Sequence, residues 1–187
     1  MKKLVTLLFS LLCLICTFSL FAQNPITVKS GNISVLSTAT TASYEFDYSA
    51  TKVDKQTLNE YLKSMGEDFV KEWPIAKEGA EKHFPLLFNK MNKKKMQISD
   101  AENVDYKMKI KIQSINMGED AVVFVPYAPR TLGGAVITGT VDIIDNKTKN
   151  VVLSLDMGEV KGPHALTVRF RILLVYDELA KFLAKVK

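Results

Sequence analysis

The sequence predicts an α+β domain: a mainly antiparallel or mixed sheet of five or six strands, with helices packed on one face. Three observations carry that prediction. Residues 41–49 and 104–117 alternate apolar and polar side chains with the period of two expected of half-buried strands. Residues 135–144 and 151–157 flank the turn-forming run Asp145-Asn146-Lys147-Thr148-Lys149-Asn150, which makes them a hairpin. Two other stretches carry apolar residues at helical steps, one in the middle of the chain and one at its carboxyl end.

Taken in order, residues 23–32 read as a polar lead-in and 33–37 as a short β-like run. In the strand at 41–49, Tyr44, Phe46 and Tyr48 share one face, and Glu45 and Asp47 take the other. A helical segment spans 52–92. Its predicted start is Thr51-Lys52-Val53-Asp54, which has the hydroxyl and carboxylate spacing of an N-terminal cap. Leu58, Leu62, Met65 and Phe69 form one stripe, and Ala76, Ala80, His83, Leu87 and Met91 a second. Pro74 predicts a break near Trp73, and Pro85 a kink near 84, because proline lacks an N–H and restrains the residue before it. Lysines at 93–95 suit the negative end of the helix dipole.

A short strand at 96–99 follows. In 104–117, Tyr106, Met108, Ile110 and Ile112 face one way and Lys107, Lys109, Lys111 and Gln113 the other. Residues 118–134 form a long connection with Pro126, Pro129, Gly133 and Gly134. After the hairpin, Gly158, Gly162 and Pro163 mark a loop. The closing helix places Ile172, Tyr176, Leu179, Leu183 and Val186 on one face. Its first residues, 166–171, also alternate as a strand would; the helix is placed from about 166.

The amino terminus predicts export. Lys2 and Lys3 precede an uncharged, apolar run at 4–21, and polar character begins after Ala22, the order of a cleavable signal peptide over residues 1–22. Leu20 is bulky for the position three before the cut. An uncleaved anchor is the competing reading, since the run is near the lower limit of about 17 residues for a membrane span. Cys13 follows Leu12 and Cys16 follows Ile15, so neither has the small preceding residue of a lipid-attachment site. Both leave with the signal. The remaining domain, 23–187, would have no thiol for a disulfide, a metal or a nucleophile, and its formal charge falls from +5 to +3 as Lys2 and Lys3 are lost. That mild charge does not argue for nucleic acid.

The order of a helix ending in a short strand, the segment Val104-Asp105-Tyr106-Lys107-Met108-Lys109-Ile110, the hairpin turning at 145–149 and a closing helix resembles a group of bacterial envelope domains. The group includes the periplasmic domain of the curli-secretion lipoprotein, the amino-terminal domain of TolB and related families of unknown function. The resemblance covers roughly 50–187 and has no catalytic motif. It implies a fold and an envelope location. The departure is the missing lipid-anchor cysteine. The Phe21-Ala22-Gln23 context is similar to that of exported proteins of the Bacteroidetes.

Two surfaces stand out as candidate sites. Lys107, Lys109 and Lys111 lie on one strand face, where alternate residues are about 6.6–6.8 Å apart, a ridge suited to phosphates, anionic polysaccharide or an acidic protein. The same ridge also suits a solvated face or a protected edge. Val123, Phe124, Val125, Tyr127 and Arg130, in a proline-rich loop, would form a patch for a partner or a membrane surface if exposed, or a cover for the core if not. His83 and His164 lack the neighbouring acids of a metal pair: Glu78 and Glu81 are not at ligand spacing from His83. No nucleophile elbow or phosphate loop occurs.

The expected function is therefore a non-catalytic accessory or binding protein of the periplasm or outer membrane, without cofactor, metal or nucleic acid, meeting an envelope protein or component. The sequence assigns it no oligomeric state. A carrier of a small apolar ligand and an envelope hydrolase using His83 or His164 are the alternatives.

Overall fold

A computed structural model describes residues 24–93, 95–118 and 133–186. Its elements are β1 (Ile26–Gly31), α1 (Ser34–Ser37), β2 (Thr41–Asp47), β3 (Lys52–Val53), β4 (Gln56–Thr57), α2 (Leu58–Met65), α3 (Glu67–Met91), β5 (Gln97–Ile98), β6 (Tyr106–Asn116), β7 (Val136–Asp145), β8 (Val151–Lys161) and α4 (Val168–Leu183).

The expectation of five or six strands is corrected: the sheet has eight, in a mixed arrangement. Its order is β1-β8-β7-β6-β2-β5, with β3 pairing β6 and β4 off that path. One missed strand is β1, inside the predicted polar lead-in. It pairs antiparallel with β8, but only Ile26 of its six residues is buried. An edge strand so exposed has no alternation to read. The others are β3 and β4, two residues each, too short to carry a period. The β-like run at 33–37 is instead the single-turn helix α1, and β8 continues through Gly158 to Lys161.

Strands β6, β7 and β8 form an antiparallel meander. The β7–β8 turn is held by the Asp145 carboxylate, which accepts from Lys147 N–H and Thr148 N–H at 2.8 Å each. Strand β2 runs parallel to β6 and β5, as a connection through helices requires. A bulge between Ile112 and Ser114 shifts the parity of β6. Beyond it Ile115 and Met117 are buried, continuing the inward face of Met108, Ile110 and Ile112.

The middle helical segment breaks elsewhere than expected. Helix α2 starts at Leu58, not 52. Thr57 is its cap: its side chain accepts from Glu60 N–H, and the Glu60 carboxylate accepts from Thr57 N–H. Thr51 is buried and donates to the Ile112 carbonyl at 2.6 Å. The break falls at Gly66, whose φ of 105° suits glycine. Pro74 and Pro85 lie inside the continuous helix α3. The donors they remove are offset by burial of Trp73, Ala76, Ala80, Phe84 and Phe88 on the face toward the sheet and α4. His83 and Met91 are exposed and Leu87 only partly buried, so the second predicted stripe holds at Ala76 and Ala80 and then drifts off the buried face. Helix α4 begins at Val168, with the Thr167 side chain accepting from Phe170 N–H, and buries Ile172, Tyr176, Leu179 and Leu183; the fifth predicted residue, Val186, is buried just beyond its end.

Candidate functional site

The faces of the sheet differ in chemistry. On the covered face, Tyr44 and Phe46 of β2 and Tyr48 just past its end project toward the helices. Phe46 meets Phe84 edge-on, with centroids 5.2 Å apart, and lies equally close to Tyr176. Tyr48 meets Trp73 edge-on at 6.3 Å, and Lys77 Nζ lies 4.9 Å from the centre of its ring. The Tyr48 and Tyr176 hydroxyls are 2.6 Å apart. Burial pushes both phenols far above the ordinary range, and the Glu81 carboxylate nearby adds to the shift. Burial likewise raises Glu81, against the hydrogen bond from Tyr48 and the charge of Lys77.

The other face holds the lysine ridge. The structure brings each predicted lysine to a carboxylate. Lys107 pairs with Glu45, Lys109 with Asp47 at 3.0 Å and Glu45 at 3.7 Å, and Lys111 with Asp142 at 2.8 Å. Register puts Glu45 and Asp142 directly opposite Lys109, and Asp47 opposite Lys111, and the shorter pairs run diagonally, each lysine reaching a carboxylate one step along the neighbouring strand. The Lys107 hydrogen bond holds Glu45 below the usual carboxylate range, and hydrogen bonds from Ser49 and then Lys109 do the same for Asp47. The ridge is thus a lattice of alternating charge, not a row of free ammonium groups. Val123, Phe124, Val125, Tyr127 and Arg130 lie outside the described residues.

The two histidines occupy separate places. His83, on the exposed side of α3, holds Asp177 of α4 at 2.7 Å through Nδ1. His164 lies in the loop before α4, with Nδ1 buried and without a hydrogen-bond partner among the described residues. Among the described residues, no three His, Cys, Asp or Glu side chains cluster as a metal site would require, and no helix is long and apolar enough to cross a membrane.

The most distinctive surface was not predicted. Helices α3 and α4 run side by side in the same sense, Ile75 beside Phe170 at one level and His83 beside Asp177 further along. Between them lies a groove of about 380 Å³, lined by Ala76, Gly79, His83, Arg169, Phe170 and Leu173 together with Ala80. It adjoins a second depression of about 360 Å³, lined by Glu72, Ile75, Thr167, Arg169 and Phe170. Large apolar side chains stand exposed along this layer: Ile75 at 54%, Phe170 at 56%, Leu86 at 67% and Leu166 at 76%. The available sequence signals were Ile75 and Leu86 standing off the buried stripe, and Gly79 inside a helical pattern.

The site is therefore a surface groove on the helical layer of an α+β fold with a mixed sheet. No family model matches the chain, and no curated protein matches it. Solved structures do. The PelC dodecamer from Paraburkholderia phytofirmans is 16% identical with a TM-score of 0.47, over 87% of this chain and 98% of that one. A Xanthomonas campestris protein of the DUF330 family is 12% identical with a TM-score of 0.41, over 84% and 89%. A neuraminyllactose-binding hemagglutinin homolog from Helicobacter pylori is 11% identical with a TM-score of 0.38, over 85% and 86%. These likenesses do not confirm the resemblance to the curli-secretion and TolB domains, and at these scores they assign no activity to this chain.

Proposed function

We propose that this chain is an exported, non-catalytic binding protein of the periplasm or cell envelope that holds an envelope component against the outer face of its helical layer. One observation carries the reading: Ile75 and Phe170 are more than half exposed at one depression between the helices, where solvation is unfavourable unless something covers them. The apolar run after Lys2 and Lys3 supports export. Groups that hold a ligand dominate the lining: apolar side chains, one guanidinium and one imidazole.

Co-sedimentation of the purified protein with isolated cell envelopes, at low and at high salt, tests this. Salt-resistant binding is expected, lost in an Ile75→Ser, Phe170→Ser variant of unchanged melting temperature. Binding that disappears at high salt would instead move the contact to Lys107, Lys109 and Lys111, because exposed charges are screened within about 8–10 Å. No binding under either condition sinks the proposal.

A further inference from the structure

We infer that the α3–α4 groove is a site for a single-chain amphiphile with one carboxylate head, a fatty acid. The inference rests on the reading above, since it names the envelope component that this face takes. Three features define the ligand.

The first is room. Gly79 lies in the middle of α3, where glycine is disfavoured by about 1 kcal/mol relative to alanine. No steric need accounts for it: a Cβ built there meets no atom within 4 Å. The missing side chain leaves a trough between α3 and α4, and the groove's volume of about 380 Å³ suits a small ligand. The second is an apolar wall. Ala76, Phe170 and Leu173 line the trough and would contact an alkyl chain laid along it, with about 0.8 kcal/mol of transfer free energy per buried methylene.

The third is charge. No carboxylate lines the 380 Å³ groove, whereas Arg169 does. Among the described residues Arg169 makes no ion pair, although Glu72 lines the adjoining depression with it. The planar guanidinium fork fits a carboxylate through two parallel N–H bonds. One cation matches one negative charge, which favours a carboxylate over a doubly charged phosphate monoester. His83, tied through Nδ1 to Asp177, stands further along the groove from the Arg169 level and bounds the far end of the chain's path. The head then lies at Arg169 and the tail runs past Gly79.

Isothermal titration of the purified protein with sodium decanoate, below its micelle concentration, and with 1-decanol as the uncharged analogue provides the test. Decanoate is expected to bind about ten-fold or more tighter than decanol, the scale of one charge-assisted hydrogen-bonded pair. Arg169→Gln should remove that preference, weakening decanoate far more than decanol. Gly79→Leu should fill the trough and abolish binding of both without lowering the melting temperature. Equal affinity for the two ligands, or indifference to Arg169→Gln, overturns the carboxylate assignment. Failure of decanoate to bind, while envelope sedimentation persists and still needs Ile75 and Phe170, overturns the fatty-acid site but leaves the binding-protein reading standing. Failure of both removes both.

Discussion

The hydroxyl groups of Tyr48 and Tyr176 lie 2.6 Å apart, so the end of strand β2 and helix α4 are joined by a hydrogen bond across the covered face of the sheet. Tyr176 is buried and Tyr48 largely so. Tyr48→Phe should therefore strand the Tyr176 hydroxyl and cost about 1–3 kcal/mol in urea unfolding. Replacing both tyrosines should cost less than the sum of the single changes, because no orphaned phenol is left at Tyr176. Strict additivity in the double-mutant cycle would show that the two hydroxyls do not interact.

The same phenols set an alkaline limit. Tyr44, Tyr48 and Tyr176 are all raised from the ordinary 10.0, with burial the largest cause in each. The unfolded chain releases these protons near pH 10 while the native state retains them. Their stabilising contribution is whole below the unfolded value and is lost as pH rises from there toward the folded values. Urea midpoints should be flat up to about pH 9 and fall steeply above about pH 10.5. The fall should be shallower in the Tyr48→Phe, Tyr176→Phe protein; an identical slope would locate the effect elsewhere.

On the open face, Asp142 accepts from Lys111 at 2.8 Å and from Ser154 at 2.7 Å. Burial pushes its carboxyl up, but the hydrogen bonds and charges of Lys111, Ser154 and Lys29 together hold it below the ordinary 3.8. A depressed carboxyl contributes stability above its unfolded value and loses it as pH falls through the folded one. Asp142→Asn should cost roughly 1 kcal/mol at pH 7, the figure being limited by the exposure of Lys111. The gap from the parent should close as the medium is acidified below about pH 3, which thermal melts across that range would measure.

Two glycines should respond in opposite directions. Gly79→Ala fills open space on a helix and should stabilise by about 0.5–1 kcal/mol. Gly139, at the centre of the sheet, faces the Lys111 carbonyl oxygen, which an added Cβ would meet at 2.0 Å. Gly139→Ala should cost about 3 kcal/mol or more. Denaturant midpoints of the two variants falling on the same side of the parent would contradict this contrast.

The strands legible in the sequence are those with one wet and one dry side. Met108, Ile110 and Ile112 alternate with lysines in β6, and Ile137, Val141 and Ile143 alternate with polar residues in β7, so each strand records its own two environments. Strand β1 left no such trace, because its partner β8 supplies its place while water surrounds four of its five side chains. The helix break was misplaced for a related reason. Proline weighs locally against a helix, but the buried Trp73, Phe84 and Phe88 keep α3 continuous through Pro74 and Pro85, and that burial depends on distant residues.

By itself, the sequence determined the α+β class, the two-faced strands, the hairpin turn and the closing helix. These are written in neighbours a few residues apart, where side-chain period and turn chemistry act. Tertiary structure alone decided that the lysines would meet Glu45, Asp47 and Asp142, that Tyr48 would find Tyr176, and that Gly79 and Arg169 would border one groove. Each of these pairs residues from separate elements, and their meeting is set by the register of β2 on β6 and the packing of α4 along α3, which no local period encodes.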